Sequence, residues 1–259
     1  MASPSKSEVI YGTRAVIEAI GSEQEVDRVL VQKGLRNELT QELLTITRAQ
    51  HVPVSFVPAE KLNRVTRKNH QGVVAFLSSV TYASLDHIIN QCYAEAKDPF
   101  LILLDRITDV RNFGAIARSA DCLGVHALVV PTQGNARIGG DAMKTSAGAL
   151  NYLPVCRVAR LKETVRFLKE SGIRVIACTE KTGQLLPQAD LRGPVALLLG
   201  SEEDGIADEL LQLADELVKI PMQGNVASLN VSVAAAVSMY EVVRQRGSKF
   251  YDQTVQKLG

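Results

Sequence analysis

Three separated segments place reactive and ligand-holding residue types where apolar strands would end: DRITDVRNFGAIARSA (105–120), LLLGSEEDGI (197–206) and IPMQGNVASLNVSVAAAV (220–237). In the first, Arg118 offers a permanently charged, planar fork of donors that can orient an oxygen but is a poor base. A solvated surface arginine is the plain alternative. Gly114, one turn earlier, shares a side of the helix with Arg118 and clears space in front of the guanidinium. A glycine inside a helix costs about 1 kcal/mol relative to alanine, and close approach of a substrate backbone would account for it. In the second segment Gly200 ends a strand, and Glu202 stands in a tight acidic turn closed by Gly205. In the third, a strand ends at Ile220, Pro221 sets the exit, and Ser228 is placed to cap a helix starting with Leu229 and Asn230. Asn230 is the anomaly of that apolar helix, since a buried amide must bond neighbouring backbone or face a ligand.

Such residues need strands and helices to deliver them. FLILLD, HALVVP, RVIAC, VALLLG and ELVKI are near-continuous apolar runs, the pattern of strands buried on both faces. Helical patterns at NFGAIARSADCLG, LKETVRFLKES, DELLQLA and LNVSVAAAVSMYEVVRQRG separate most of them, so the fold class is α/β with a parallel sheet and ligands at its carboxyl ends. Asn112 reads as an N-cap, and Phe113, Ile116, Ala117 and Ala120 should face the sheet. Upstream the rhythm differs. VIYGTRAVIEAI reads as a short helix, DRVLVQ as a strand, ELTQELLTITRAQ as an amphipathic helix, and VPVSFV and GVVAFLSSV as strands, together a smaller α/β unit. SLDHIINQCYAEAKDP joins the two as a helix with Leu85, Ile88, Ile89 and Cys92 on one face, closed at Asp98-Pro99. The expected division is 1–80, a linker over 81–98, and 99–259.

Composition narrows the function classes. At 259 residues the chain exceeds one typical domain of roughly 100 to 150. The longest apolar run, Leu229 to Val243, is broken by Asn230, Ser232 and Ser238 and falls short of the roughly 20 residues that span a bilayer, so no membrane helix is expected. MASPSKSEVIYG lacks the apolar core of a secretory signal, and Cys92, Cys122, Cys156 and Cys178 show no C-x-x-C spacing, which fits the cytoplasm. Cys122 and Cys178 lie in apolar stretches and read as buried core thiols. His51, His70, His87 and His126 are scattered, so no metal is expected. The absence of G-x-G-x-x-G after the first apolar strand, and of G-x-x-x-x-G-K-[ST] anywhere, argues against a standard dehydrogenase and a P-loop enzyme. Net charge is +1, but Lys61 to His70 carries Lys61, Arg64, Arg67 and Lys68 with no acid, either a phosphate-contact patch or a solvated basic loop.

Taken in order, the three segments resemble the motifs of the SpoU/TrmH family of S-adenosylmethionine-dependent RNA ribose 2′-O-methyltransferases: Asn112, Gly114 and Arg118; Gly200, Glu202 and Gly205; and Ser228 to Ser232. The resemblance spans about Leu101 to Arg246, and the N-terminal part is similar to the L30/L7Ae-type substrate-binding domain of the bacterial branch that methylates a guanosine of large-subunit (23S-type) ribosomal RNA. It implies a deep trefoil knot in the parallel-sheet domain, S-adenosyl-L-methionine as cofactor, ribosomal RNA as partner, and a homodimer with the active site near the subunit interface. It makes Arg118 the residue acting on the 2′-hydroxyl, with Asn112, Glu202 and Asn230 in the catalytic group. Thr179, Gly200, Ile220, Ser228 and Leu229 would hold the cofactor, Gly200, Ile220 and Leu229 through backbone contacts to its adenine. Arg14, Arg64, Arg67, Lys68 and Arg111 would contact RNA. One departure is Val110, where many relatives have proline, which leaves the loop less rigid. The tRNA-modifying branch and a non-catalytic RNA-binding relative remain as alternatives.

Overall fold

The computed structural model describes residues 9 to 247, apart from 23, 51 and 227, so the first eight residues, His51 and the end of the chain lie outside it. The described residues form two units, 9–82 with 137–144, and 83–136 with 145–247.

The first unit runs β1 (Val9–Tyr11), α1 (Thr13–Gly21), β2 (Val26–Gln32), α2 (Glu38–Ala49), β3 (Val54–Val57), α3 (Ala59–Val65) and β4 (Val73–Leu77). Its four-stranded sheet has the order β1-β4-β2-β3, antiparallel at both edges of β4 and parallel between β2 and β3. Strand alternation sends Val29, Val31, Val73 and Ala75 to the face packed by α1 and α2, and Leu30, Val57 and Val74 to the face packed by Leu62 of α3. Asn37 caps α2, its side chain accepting from the backbone N–H of Thr40 at 2.8 Å. Two expectations are corrected here. VIYGTRAVIEAI is a strand and then a helix, because Gly12 at φ 92° breaks the chain between them. The basic stretch begins as α3, since Pro58 stands at the N-cap and Leu62 anchors the turn.

From the boundary strand β5 (Tyr82–Ala83) the chain continues with α4 (Leu85–Ala94), β6 (Phe100–Leu104), α5 (Val110–Cys122), β7 (Ala127–Pro131), α6 (Gly140–Thr145), β8 (Val155–Val158), α7 (Leu161–Glu170), β9 (Arg174–Cys178), β10 (Val195–Leu199), α8 (Asp208–Leu211), β11 (Glu216–Val218) and α9 (Val231–Arg246), all of the second unit except α6, which falls in the first up to residue 144. The sheet order is β11-β9-β10-β6-β7-β8-β5, with parallel pairing from β11 through β8. Leu101, Leu103, Val175 and Leu198 build one core with Leu85 and Ile89 of α4 and Leu161, Val165 and Leu168 of α7. The stretch 81–98 thus carries a helix whose buried face joins this core. On the other face α5 packs against α9, which also lies on β10. Phe113, Ile116, Ala117 and Ala120 of α5 are all buried, as their spacing predicts.

This order fixes where a ligand can sit. From β6 the chain moves outward through β7 and β8, then crosses back to place β9 and β10 on the opposite side of β6. Loops leaving the carboxyl ends of neighbouring β6 and β10 therefore diverge, and the carboxyl ends of the strands are where an open parallel sheet keeps its ligands.

Candidate functional site

The loop after β6 is built as a clamp. Arg106 adopts φ 58°, a left-handed conformation uncommon for a side-chain-bearing residue. From there its guanidinium donates to the Gly205 carbonyl at 3.0 Å and to Asp204 at 3.2 Å, and pairs with the buried Asp105. Asp105 also accepts from the Ala207 N–H at 2.9 Å. The Asp105 carboxylate beside it raises the Arg106 pKa, so the clamp stays charged. Asn135 closes the loop from below, accepting from the Ile107 N–H at 2.8 Å. No local sequence signal marks Asp105, Arg106 and Asn135 as site builders, because the first two act on partners about a hundred positions away.

The clamped segment is the acidic turn after β10. Ser201 and Gly205 exchange backbone hydrogen bonds at 3.2 and 3.0 Å, and Gly205 takes φ 68°. A Cβ on Gly200 would lie 2.2 Å from the Gly205 carbonyl carbon and 2.3 Å from the Ile206 nitrogen, so only glycine lets the turn fold back on the strand end. Glu202 is thereby presented outward.

Above the turn lies a cavity of about 1090 Å³. Thr179, Gly200, Glu202, Ile220, Ser228, Leu229 and Asn230 all line it, with Leu186, Leu199, Ala234 and Ser238 among the other walls. Asn230 is the hinge of the arrangement. Its amide nitrogen donates to Asn112 at 3.1 Å and to Glu202, while its carbonyl oxygen accepts from the Ser232 N–H at 2.9 Å. The same Glu202 oxygen accepts from the Val231 N–H at 3.3 Å.

Four expectations change. Asn230, not Ser228, caps α9, so its amide is an exposed cap with side-chain partners rather than a buried helical amide. Asp109, not Asn112, caps α5; Asn112 sits in the first turn, free to reach Asn230. Gly114 is buried, and a Cβ there would lie 2.6 Å from the Thr145 Cβ and 3.0 Å from the Ser146 nitrogen, so close packing of α5 explains it and a substrate is not needed. Cys122 is exposed, whereas Cys178 is half-buried at the cavity.

Arg118 lies on α5 two turns beyond its start, exposed and with no hydrogen-bond or ionic partner among the described residues, and it is not part of the cavity wall. Arg111 pairs with Asp109 at 3.1 Å while remaining largely exposed; the guanidinium holds the Asp109 carboxyl below its ordinary range. In the first unit, Arg14 of α1, Arg64 of α3, and Arg67 and Lys68 beyond it are exposed, and the Lys68 ammonium stands 5.3 Å over the Tyr11 ring. No group of His, Cys, Asp and Glu among the described residues is placed to hold a metal ion, and no helix among them is long and apolar enough to cross a membrane.

Fold and site define a parallel α/β protein with a ligand cavity at the carboxyl ends of β9, β10 and β11 and an unpaired arginine on the helix bonded to that cavity. A model described as "SpoU rRNA Methylase family" matches residues 99–240, and one described as "RNA 2'-O ribose methyltransferase substrate binding" matches 9–83. The chain belongs to the SpoU rRNA methylase family of RNA 2′-O-methyltransferases. It is 36% identical to an uncharacterized tRNA/rRNA methyltransferase of Synechocystis over 93% of this chain and 63% of that protein. It is also 36% identical to the 23S rRNA (guanosine-2'-O-)-methyltransferase RlmB of Yersinia pestis, over 94% and 99%. Among solved structures it resembles the SpoU methyltransferase AviRb from Streptomyces viridochromogenes in complex with the cofactor AdoMet, with TM-score 0.58 and 28% identity over 92% of this chain and 90% of that one.

Proposed function

We propose that this protein transfers a methyl group from S-adenosylmethionine to the ribose 2′-hydroxyl of a guanosine in 23S-type ribosomal RNA. The observation that carries the reading is the Asn230 bridge, which ties the cavity residue Glu202 to Asn112 on the helix bearing Arg118. Donor site and acceptor arginine thus share one hydrogen-bonded frame. The cavity suits the donor: it has room for a drug-sized ligand, apolar walls at Leu186, Leu199 and Ile220 for a heteroaromatic ring, and the Glu202 carboxylate for a cation. Bound there, the donor supplies a methyl group made electrophilic by its sulfonium. Thr179, Gly200, Ile220, Ser228 and Leu229 would hold it, largely through backbone.

Arg118 orients the 2′-hydroxyl and the neighbouring phosphate rather than abstracting a proton, and much of the rate comes from that alignment. Asn112, Glu202 and Asn230 shape the pocket around the reacting atoms. Residues 1–80 serve as an L30/L7Ae-like RNA-binding domain and 81–98 as the connection to the catalytic domain 99–259. A deep trefoil knot in that domain, an exception to the usual rule, is what membership of the SpoU family leads us to expect. The working form is a homodimer in the cytoplasm. Val233, Val237 and Tyr240, spaced at i, i+4 and i+7 on α9, are 47%, 39% and 56% exposed and give it an apolar contact face; a monomer mass by light scattering would refute it.

The ribosomal substrate, rather than tRNA, is supported by the near full-length similarity to the Yersinia pestis enzyme. Mapping 2′-O-methyl groups in RNA from cells lacking the protein is expected to show one guanosine mark missing from 23S rRNA. A mark missing from tRNA instead would move the protein to the tRNA-modifying branch. Neutralising Arg64, Arg67 and Lys68 together is expected to lower the slope of log binding constant against log salt by about 2 to 3, as three lost phosphate contacts require. An unchanged slope would make the cluster a solvated surface with no part in RNA binding.

A further inference from the structure

Ser238 is a serine with only the Cys178 thiol set against its hydroxyl. It is fully buried on α9, and its hydroxyl oxygen has no hydrogen-bond partner among the described residues. Buried polar groups are almost always paired, so an unpaired one asks for a missing partner. Ser238 also lines the cavity. It lies four residues beyond Ala234, which lines the cavity one turn nearer the Asn230 cap, so both face the same space. The neighbouring polar group is Cys178, whose thiol burial pushes up to about 11, against the opposing influence of the Ser238 hydroxyl. At neutral pH that thiol is uncharged and offers only a weak contact.

We infer that Ser238 hydrogen-bonds the purine ring of the methyl donor and is a determinant of donor recognition. The inference rests on the reading of the cavity as the donor site. The surroundings select which part of the donor reaches Ser238. The charged groups lining the cavity are Glu180, Lys181, Glu202, Glu203 and Asp204, which are exposed, and Lys219, which is half-buried; none is buried as Ser238 is. An ammonium or carboxylate carried down to a fully buried serine would lose its hydration without finding a counter-charge. The amino-acid end of the donor therefore stays at the rim. A purine has apolar faces for Leu199 and Ala234 and polar edges needing one or two partners, and a serine hydroxyl serves as donor or acceptor.

The test compares Ser238→Ala with the unchanged protein by calorimetry, using S-adenosylhomocysteine and 5′-methylthioadenosine as probes, the second lacking the amino-acid part. Affinity for both probes is expected to fall by the same factor, about fivefold to tenfold, the loss of one hydrogen bond. Without ligand, the melting temperature of Ser238→Ala is expected to rise by about 2 °C, because an unpaired buried hydroxyl has been removed. Loss confined to S-adenosylhomocysteine would place the contact on the amino-acid part and overturn the inference. So would unchanged affinities, or a ligand-free melting temperature that falls, which would give the hydroxyl a structural role. If the unchanged protein binds neither probe, the donor reading of the cavity fails first and the inference fails with it.

Discussion

Replacing Arg118 by alanine is expected to cut methyl transfer to RNA by about a hundredfold to a thousandfold, the range seen when one preorganised donor at a reacting oxygen is removed, while S-adenosylhomocysteine affinity changes by less than about twofold. Both halves follow from where the residue stands. Arg118 is exposed, makes no hydrogen bond or ion pair with any described residue, and is not a wall of the cavity. Its removal leaves no buried group unpaired and takes no contact from the donor. What disappears is a planar fork able to hold the 2′-hydroxyl and its phosphate together. Lysine keeps the charge but not the fork, so Arg118→Lys should recover only part of the loss. The measurement is single-turnover methyl transfer alongside calorimetric titration. Activity within tenfold of the unchanged protein would remove Arg118 from the reaction, and a parallel loss of donor binding would make it a cavity residue instead.

The split between what the sequence discloses and what it hides has a physical basis. FLILLD and VALLLG read as buried strands because both faces of their sheet are covered, so every position had to be apolar. VCRV escaped because Arg157 interrupts a four-residue strand. Helix starts were displaced for a related reason. Asp109 and Asn112, like Ser228 and Asn230, are pairs of residues that can both cap, and only the three-dimensional partners decide between them. Once Asn230 is committed to the cap of α9, its amide points at Asn112 and Glu202, which converts a helix end into the joint of the site. Gly114 was legible as unusual but not as to cause, since the residues that crowd it, Thr145 and Ser146, lie some thirty positions downstream. The family motifs thus identify which residues converge, whereas the clamp made by Asp105 and Arg106 explains why they hold still. A strained Arg106 backbone is tolerated because four hydrogen bonds from its guanidinium, to Asp105, Asp204 and Gly205, over-determine it.

The same logic predicts the most damaging small substitution in the cavity. Gly200→Ala adds one methyl group, yet that carbon would overlap the Gly205 carbonyl and the Ile206 nitrogen, at 2.3 Å or less, and neither is the free end of a side chain that can swing away. The turn must open. Its backbone pair between Ser201 and Gly205 would part, the Arg106 bond to the Gly205 carbonyl would stretch, and Glu202 would leave Asn230 and the Val231 N–H. Overpacking of this kind costs about 1 to 3 kcal/mol, which for a protein of this size lowers the melting temperature by roughly 2 to 12 °C. Donor affinity should fall by at least about a hundredfold, since the displaced turn is a wall of the cavity. Gly224→Ala is the matched control: an added Cβ there meets nothing within 4 Å, so both melting temperature and donor affinity should stay unchanged. If Gly200→Ala behaves like that control, the fold-back of the acidic turn on β10 is not what shapes the donor site.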